Sequence, residues 1–248
     1  VLFRSIGLAE RDINADGSAR YVPDARADSL WRQAEESLAR LRCDRVDTLL
    51  LHHPDPAVPV EQAMETLGKI RDAGLAARIG FSNLSDEDAD RAFAQGIAQI
   101  VQYPWSLLDG RRASLLNRAG TRGIGRMVFG TLAYGILAGS VTPDTVFDDK
   151  DWRGVARSGQ DPRTTGGPLF MGDMFQQAMV ATGRFSEIGR TMGLDLAAAT
   201  VAASLAIAPA EEIIVGCRSR QELEGLIVGI AQNPPRRMVD EARSMAII

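Results

Sequence analysis

The chain has two histidines, His52 and His53, and they stand where a short apolar run over residues 46–51 stops. An imidazole N–H can donate to an oxygen that is gaining negative charge, so His52 is a candidate for polarising a carbonyl. As a base, it would instead suit a lyase or isomerase. Polar or small residues follow each of the other apolar runs: Ser82 and Asn83 after 77–81, Gln102 after 97–101, Gly130 after 126–129, whose own last residue is Phe129, and Gly216, Cys217, Arg218 and Ser219 after 212–215. These stops offer imidazole, hydroxyl, amide and guanidinium groups but no carboxylate, which disfavours glycoside hydrolysis by paired acids. Adjacent side chains on an extended strand point to opposite faces. A metal held by both histidines is therefore not expected, and Cys43 and Cys217 lie far apart and outside any metal-spaced cluster.

The stop at Gly216-Cys217-Arg218-Ser219 leads straight into a helical pattern. Backbone N–H groups at a helix start attract an anion, and a guanidinium is a fixed charge suited to phosphate. The same residues also read as a plain helix start, with Ser219 capping and Arg218 solvated.

The elements that must position these groups alternate. Leu30, Ala34, Leu38 and Leu41 mark one face of a helix over 26–41, with Asp28 or Ser29 as its cap. A strand over 46–51 follows, apolar without alternation, as suits a strand buried on both faces. Then come a helix over 60–71, with Pro59 near its first turn and Gly74 beyond its end, and a strand over 77–81. Ser85 caps an acidic helix start at Asp86, Glu87 and Asp88, and Gly96 ends that helix. A strand over 97–101, a helix over 111–119 and a strand over 126–129 continue the pattern. A long irregular stretch over 139–172 precedes helices over 173–192 and 195–207, a strand over 212–215, and helices over 219–230 and 236–247.

Strands alternating with helices imply βαβ units and a parallel sheet. In an open dinucleotide-binding sheet a glycine-rich turn follows an early strand. Here Gly120, Gly123 and Gly125 precede a strand, so the expected fold is α/β, a (β/α)8 barrel with its site at the C-terminal strand ends.

Composition narrows the partners. The 248 residues are 45% apolar and 24% charged, with a net charge of −4, which excludes a disordered or disulfide-scaffold chain. The basic residues are arginines apart from Lys69 and Lys150, and they are dispersed among acids, so no nucleic acid partner is expected. No apolar stretch reaches the ~18 residues of a membrane span. The run over 194–209 carries Asp195 and reads as a buried helix, and nothing resembles a signal peptide. A reducing, cytoplasmic setting is the expectation.

Taken in order, several segments resemble the aldo-keto reductases. They are Val46-Asp47-Thr48-Leu49-Leu50-Leu51-His52-His53-Pro54-Asp55, Gly80-Phe81-Ser82-Asn83, Val101-Gln102-Tyr103-Pro104-Trp105-Ser106, Gly123-Ile124-Gly125, Phe129-Gly130-Thr131-Leu132-Ala133-Tyr134-Gly135 and Ile214-Val215-Gly216-Cys217-Arg218-Ser219. The resemblance implies a (β/α)8 barrel that passes a hydride from NADPH to a small-molecule aldehyde or ketone. It makes His52 the catalytic histidine and assigns Ser82, Asn83 and Gln102 to the nicotinamide carboxamide, whose acceptor and two donors need mixed partners. Phe129 takes the place of a tyrosine that stacks on nicotinamide. Gly130, Thr131 and Leu132 match the pyrophosphate segment, and Gly216, Arg218 and Ser219 the region of the adenosine 2′-phosphate, favouring NADPH. Gly225-Leu226 departs from the Glu-Asn pair that contacts adenine in relatives.

The larger departure concerns the family's aspartate, tyrosine and lysine. No lysine precedes Lys69, Tyr21 falls in a polar loop, and residues 1–8 align with the third barrel strand, with Ser5 near the lysine position. Tyr103 and Tyr134 are expected to pack. The reading is a single barrel domain over 1–248, N-terminally incomplete, lacking the first two βα units, carrying about strands 3–8 and short of a proton donor. The alternative is a non-catalytic relative that binds nicotinamide nucleotide as a sensor or subunit.

Overall fold

A computed structural model describes residues 2–13, 19–149, 151–158 and 167–248. Its elements in chain order are β1 (Phe3–Ile6), β2 (Leu8–Ile13), β3 (Ala19–Pro23), α1 (Ala27–Leu41), β4 (Val46–Leu51), α2 (Val60–Asp72), β5 (Ala76–Ser82), α3 (Asp86–Ala94), β6 (Ile100–Pro104), α4 (Ala113–Gly120), β7 (Gly125–Phe129), α5 (Trp152–Arg157), α6 (Gly172–Thr191), α7 (Leu196–Ile207), β8 (Glu212–Ile213), α8 (Arg220–Ile230) and α9 (Arg236–Ser244). They form two compact units, Val1–Tyr103 with Leu115–Arg126, and Pro104–Ser114 with Met127–Ile248.

In the first unit β1, β4, β5 and β6 lie side by side in that order, and each neighbouring pair is parallel. The α/β expectation holds. Leu49, Leu50 and Leu51 are consecutive and all buried, as a strand covered on both faces requires. Burying each such side chain contributes roughly 1.5–3 kcal/mol. At Gly80 a side chain cannot be accommodated, because a Cβ would stand 1.7 Å from the carbonyl oxygen of Ile100 on β6. The stretch over residues 3–6 pairs with β4, placing Ser5 opposite Leu50.

Several expectations need correction. The strand expected over 97–101 is β6, three residues later, so Gln102 lies inside it and not at its end. The polar-looking residues are buried here: Gln102 faces Ser82 in register, and the Tyr103 hydroxyl donates to the Leu84 carbonyl at 3.0 Å. At α1 neither Asp28 nor Ser29 is the cap. Arg26 is the N-cap residue, its guanidinium held by Asp24, and Ser29 instead accepts from Gln33 Nε2 within the helix. The backbone of Tyr21 lies in β3, opposite Glu10 in an antiparallel hairpin with β2, and not in a loop. Ser85 does cap α3, accepting from Asp88 N–H at 3.0 Å.

In the second unit β7 and β8 pair parallel, Met127 with Glu212 and Val128 with Ile213. The strand expected over 212–215 is shorter, although Ile214 N–H still donates to the Val128 carbonyl at 2.8 Å. Helix α7 is buried along residues 198–204, as its apolar run predicts. Helix α9 ends before the expected residue 247. The tail runs on to Ile247 and Ile248, which bond the backbone of Leu108 and Gly110. The stretch over 139–172 contains α5, capped by Asp151, and a 3-10 turn over Gly167–Phe170. Lys150 and residues 159–166 of that stretch lie outside the described residues. Among the described residues no single helix is long and apolar enough to cross a membrane.

Candidate active site

In the first unit His52, Ser82 and Asn83 gather at the ends of adjacent strands, and Gln102 lies within the next strand. His52 follows β4, and its backbone N–H donates to the Ile6 carbonyl of β1 at 2.8 Å. Asn83, the residue after β5, donates from Nδ2 to the His52 carbonyl at 2.9 Å. Its φ of 60° is left-handed, a conformation asparagine tolerates better than most side chains. Ser82 is fully buried at the end of β5, and its hydroxyl has no partner among the described residues. Its register partner on β6 is Gln102, also buried. A buried hydroxyl without a partner is costly, and such a group beside a buried amide is suited to a polar ligand.

The two imidazoles do not point to opposite faces. Their ring centroids are 4.6 Å apart, because β4 ends at Leu51 and strand alternation no longer applies. Both rings are half-buried. Burial pushes the pKa of His52 down, and the neighbouring His53 and Arg4 add to the effect; burial does the same to His53. The neutral His52 ring can thus donate one N–H near neutral pH. Among the described residues no group of three or more metal-ligating side chains comes together. A cavity of about 560 Å³ in this unit is lined by Pro54, Asp55, Val58 and Arg91 but by none of the predicted residues.

In the second unit a cavity of about 890 Å³ is lined by Gly130, Thr131, Leu132, Gly216, Arg218 and Ser219, all predicted from sequence. Phe129 is half-buried at the end of β7 and is not one of its lining residues; its carbonyl accepts from Trp105 N–H at 3.0 Å. Gly130 has a φ of +72°, and a Cβ there would meet the Tyr134 hydroxyl at 3.1 Å. The backbone is therefore bare where a ligand would approach. Thr131 donates its hydroxyl to the Ile214 carbonyl at 3.1 Å, joining the two loops that form the rim. Ser219 caps α8, accepting from Glu222 N–H at 3.1 Å.

Two of the residues lining this cavity, Tyr134, which was expected only to pack, and Glu222, were not assigned to the site from sequence. Tyr134 lines it, with a left-handed φ of 55° and a buried hydroxyl lacking a partner among the described residues. Burial, with Asp109 nearby, pushes its pKa up to about 12, so it remains a donor. No local signal in the sequence marks its backbone. Glu222 is the other: its carboxylate accepts from Arg218 N–H at 2.6 Å and pairs with the Arg218 guanidinium at 3.3 Å. The pattern Ser219-Arg220-Gln221-Glu222 is the S-x-x-E of a capping box, a signal that could have placed it.

Each unit by itself carries groups suited to polar ligands: mixed amide and hydroxyl groups in the first, and bare backbone, a helix start and a buried phenol in the second. Over 132 residues the chain is 34% identical to the aldo-keto reductase YhdN of Bacillus subtilis, a match covering 53% of this chain and 40% of that protein. It is 28% identical over 138 residues to an NADH-specific methylglyoxal reductase of Escherichia coli, covering 54% of this chain and 42% of that one. The chain thus spans about two fifths of the length of these relatives. The solved glycerol dehydrogenase of Gluconobacter oxydans superposes with a TM-score of 0.83 at 22% identity, covering 97% of this chain and 70% of that chain, which shows the fold. The model of the aldo/keto reductase family matches residues 15–235, and the chain belongs to that family of α/β barrels.

Proposed function

We propose that this chain holds a nicotinamide dinucleotide and presents a small aldehyde or ketone to it, as part of an oxidoreductase that reduces carbonyls to alcohols. The observation that carries the reading is the orphaned Ser82 hydroxyl, buried opposite Gln102 on the neighbouring strand. Together with Asn83 these groups can match the carboxamide's acceptor and donors. His52, neutral and half-buried, donates its N–H to the carbonyl oxygen and stabilises the charge that develops there. In the second unit, taken by itself, Gly130, Thr131, Leu132 and the Tyr134 hydroxyl offer donors for phosphate oxygens, and the half-buried Phe129 offers an aromatic face of the kind on which a nicotinamide stacks. When bound, the dinucleotide supplies the hydride.

Among the described side chains, proton delivery is the weak part of this machinery. The Tyr103 hydroxyl is committed to the Leu84 carbonyl, and Tyr134, its pKa pushed up to about 12, holds its proton tightly. The described residues therefore suit holding a nucleotide better than protonating a product, which also supports the second reading, a non-catalytic nucleotide-binding relative. Its two cysteines are free thiols, in keeping with a reducing cytoplasm. The preference for NADPH rests on a guanidinium available to phosphate, whereas Arg218 is paired with Glu222.

Titration with NADH and with NADPH, followed by tryptophan fluorescence, tests the reading. Saturable binding of either is expected, and its absence for both overturns the reading. Steady reduction of a short aldehyde would favour the enzyme over the non-catalytic relative.

A further inference from the structure

We propose that the cavity of about 560 Å³ in the first unit is a binding site for a small amine, a protonated nitrogen carried on an apolar body. The site is independent of the nucleotide-binding reading above: Leu51 lines it, but His52, Ser82, Asn83 and Gln102 do not. Its volume lies within the range of small-molecule sites. Its wall is apolar, with Ala25, Leu51, Val60 and Ala63 all buried, which suits the hydrocarbon part of a guest.

The loop over 54–59 sets the shape in advance. Pro54, Pro56 and Pro59 fix φ at three of its six positions. Asp55 ties the same loop to the chain before α1. One of its carboxylate oxygens accepts from Ala25 N–H at 2.9 Å, the other from Ala57 N–H at 2.8 Å, and its carbonyl accepts from Val58 N–H at 3.0 Å. A preformed site loses less on binding than one that must first order a loop.

The same bonds leave the lining short of donors and rich in acceptors. The prolines have no N–H to offer, and the N–H groups of Ala25, Ala57 and Val58 are spent on Asp55. At the start of α2 the Gln62 and Ala63 N–H groups go to the Pro59 carbonyl at 3.0 and 3.2 Å, and Glu61 places a carboxylate in the first turn. Arg91, the guanidinium of the lining, is engaged at all three nitrogens. Nε and Nη2 donate to the two Glu61 oxygens at 2.8 and 2.7 Å, and Nη1 donates to Asp88 at 3.1 Å. Asp55 and Asp88 both line the cavity, and Asp88 also accepts from the Ser85 hydroxyl at 2.9 Å. A carboxylate has about four lone-pair sites, so each of these two keeps acceptor capacity. An ammonium group meets that capacity and two negative charges. An anion meets three carboxylates, Asp55, Asp88 and Glu61, around one guanidinium that they already neutralise.

Calorimetric titration of the 248-residue chain at pH 7 with hexylammonium, 1-hexanol and hexanoate, which share one hydrocarbon body, tests the inference. The ammonium should bind saturably, and at least about tenfold tighter than either of the others. No binding of the ammonium, or equal or tighter binding of the alcohol or the carboxylate, overturns the inference. Asp88→Asn keeps an oxygen for Arg91 and Ser85 and removes one charge. It should weaken hexylammonium about fivefold and leave 1-hexanol unchanged, and an ammonium affinity unmoved by the substitution overturns the inference. Amide chemical-shift mapping needs no variant: shifts centred on Ala57, Val58 and Ala63 support the site, and shifts centred elsewhere overturn it. None of these readouts involves a nucleotide, so their failure leaves the nucleotide-binding reading standing.

Discussion

The Nδ2 of Asn83 donates to the carbonyl oxygen of His52 across 2.9 Å, joining the chain just beyond β4 to the chain just beyond β5. The bond fixes the backbone that carries the candidate imidazole, and it is made by a residue in the left-handed region. Asn83→Ala loses the bond and strains the backbone, and should cost about 2 kcal/mol in urea unfolding. Asn83→Gly restores the conformation but not the bond, and should recover about half. Equal stability of the alanine variant and the parent would remove Asn83 as the tie.

Ser82→Ala and Tyr134→Phe each delete a buried hydroxyl that has no partner among the described residues. Relieving such a group should leave stability unchanged or raise it by up to about 1 kcal/mol. The same substitutions should weaken nucleotide binding several-fold, about 1 kcal/mol each. Melting temperature and affinity moving in opposite directions would mark groups kept for a ligand. Parallel losses would mark ordinary packing.

Gly80→Ala is the severe core substitution. The added methyl would overlap the Ile100 carbonyl of β6, and backbone on both sides leaves nothing flexible to yield. A cost above about 3 kcal/mol is expected, read as loss of a cooperative melt. A folded variant with parental stability would show that β5 and β6 can separate.

His52 and His53 set a pH dependence. Both have pKa values pushed down in the folded chain, against an ordinary value of about 6.5 when unfolded. Above that value both states are neutral and stability is level. As pH falls below it the unfolded chain takes up protons that the folded chain resists, so stability falls with acid. Urea midpoints at pH 7.5, 6.0 and 5.0 should decline in that order, and His52→Gln should shallow the slope. An unchanged slope would mean that His52 titrates alike in both states.

Much of this arrangement is legible in the sequence where a single local rule decides. The Leu49-Leu50-Leu51 run reads as a two-face strand, Ser85 as a cap, and the alternation of elements as a parallel α/β fold. The failures come where a partner decides. β6 is displaced because Ser82 pairs with Gln102, and Tyr103 finds an acceptor in Leu84, so polar residues belong inside the strand. The β2–β3 hairpin has no continuous apolar run to announce it, since the charged Glu10-Arg11-Asp12 interrupts Leu8-Ala9 and Ile13. Of the site, the strand-end residues are marked by the apolar runs they terminate. Tyr134 is not, because its strained backbone and orphaned hydroxyl exist only once Gly130 is folded against it.

Glu222 has one more consequence. Tethered four residues from Arg218, its carboxylate behaves as a resident inhibitor whose effective concentration at the helix start cannot be diluted. Any anionic guest binds only during the fraction of time this competitor is displaced, and its apparent affinity is lowered by that fraction. Added salt weakens the resident ion pair as well as the guest's attraction, so the site should show a flatter salt dependence than a bare cationic pocket of the same size.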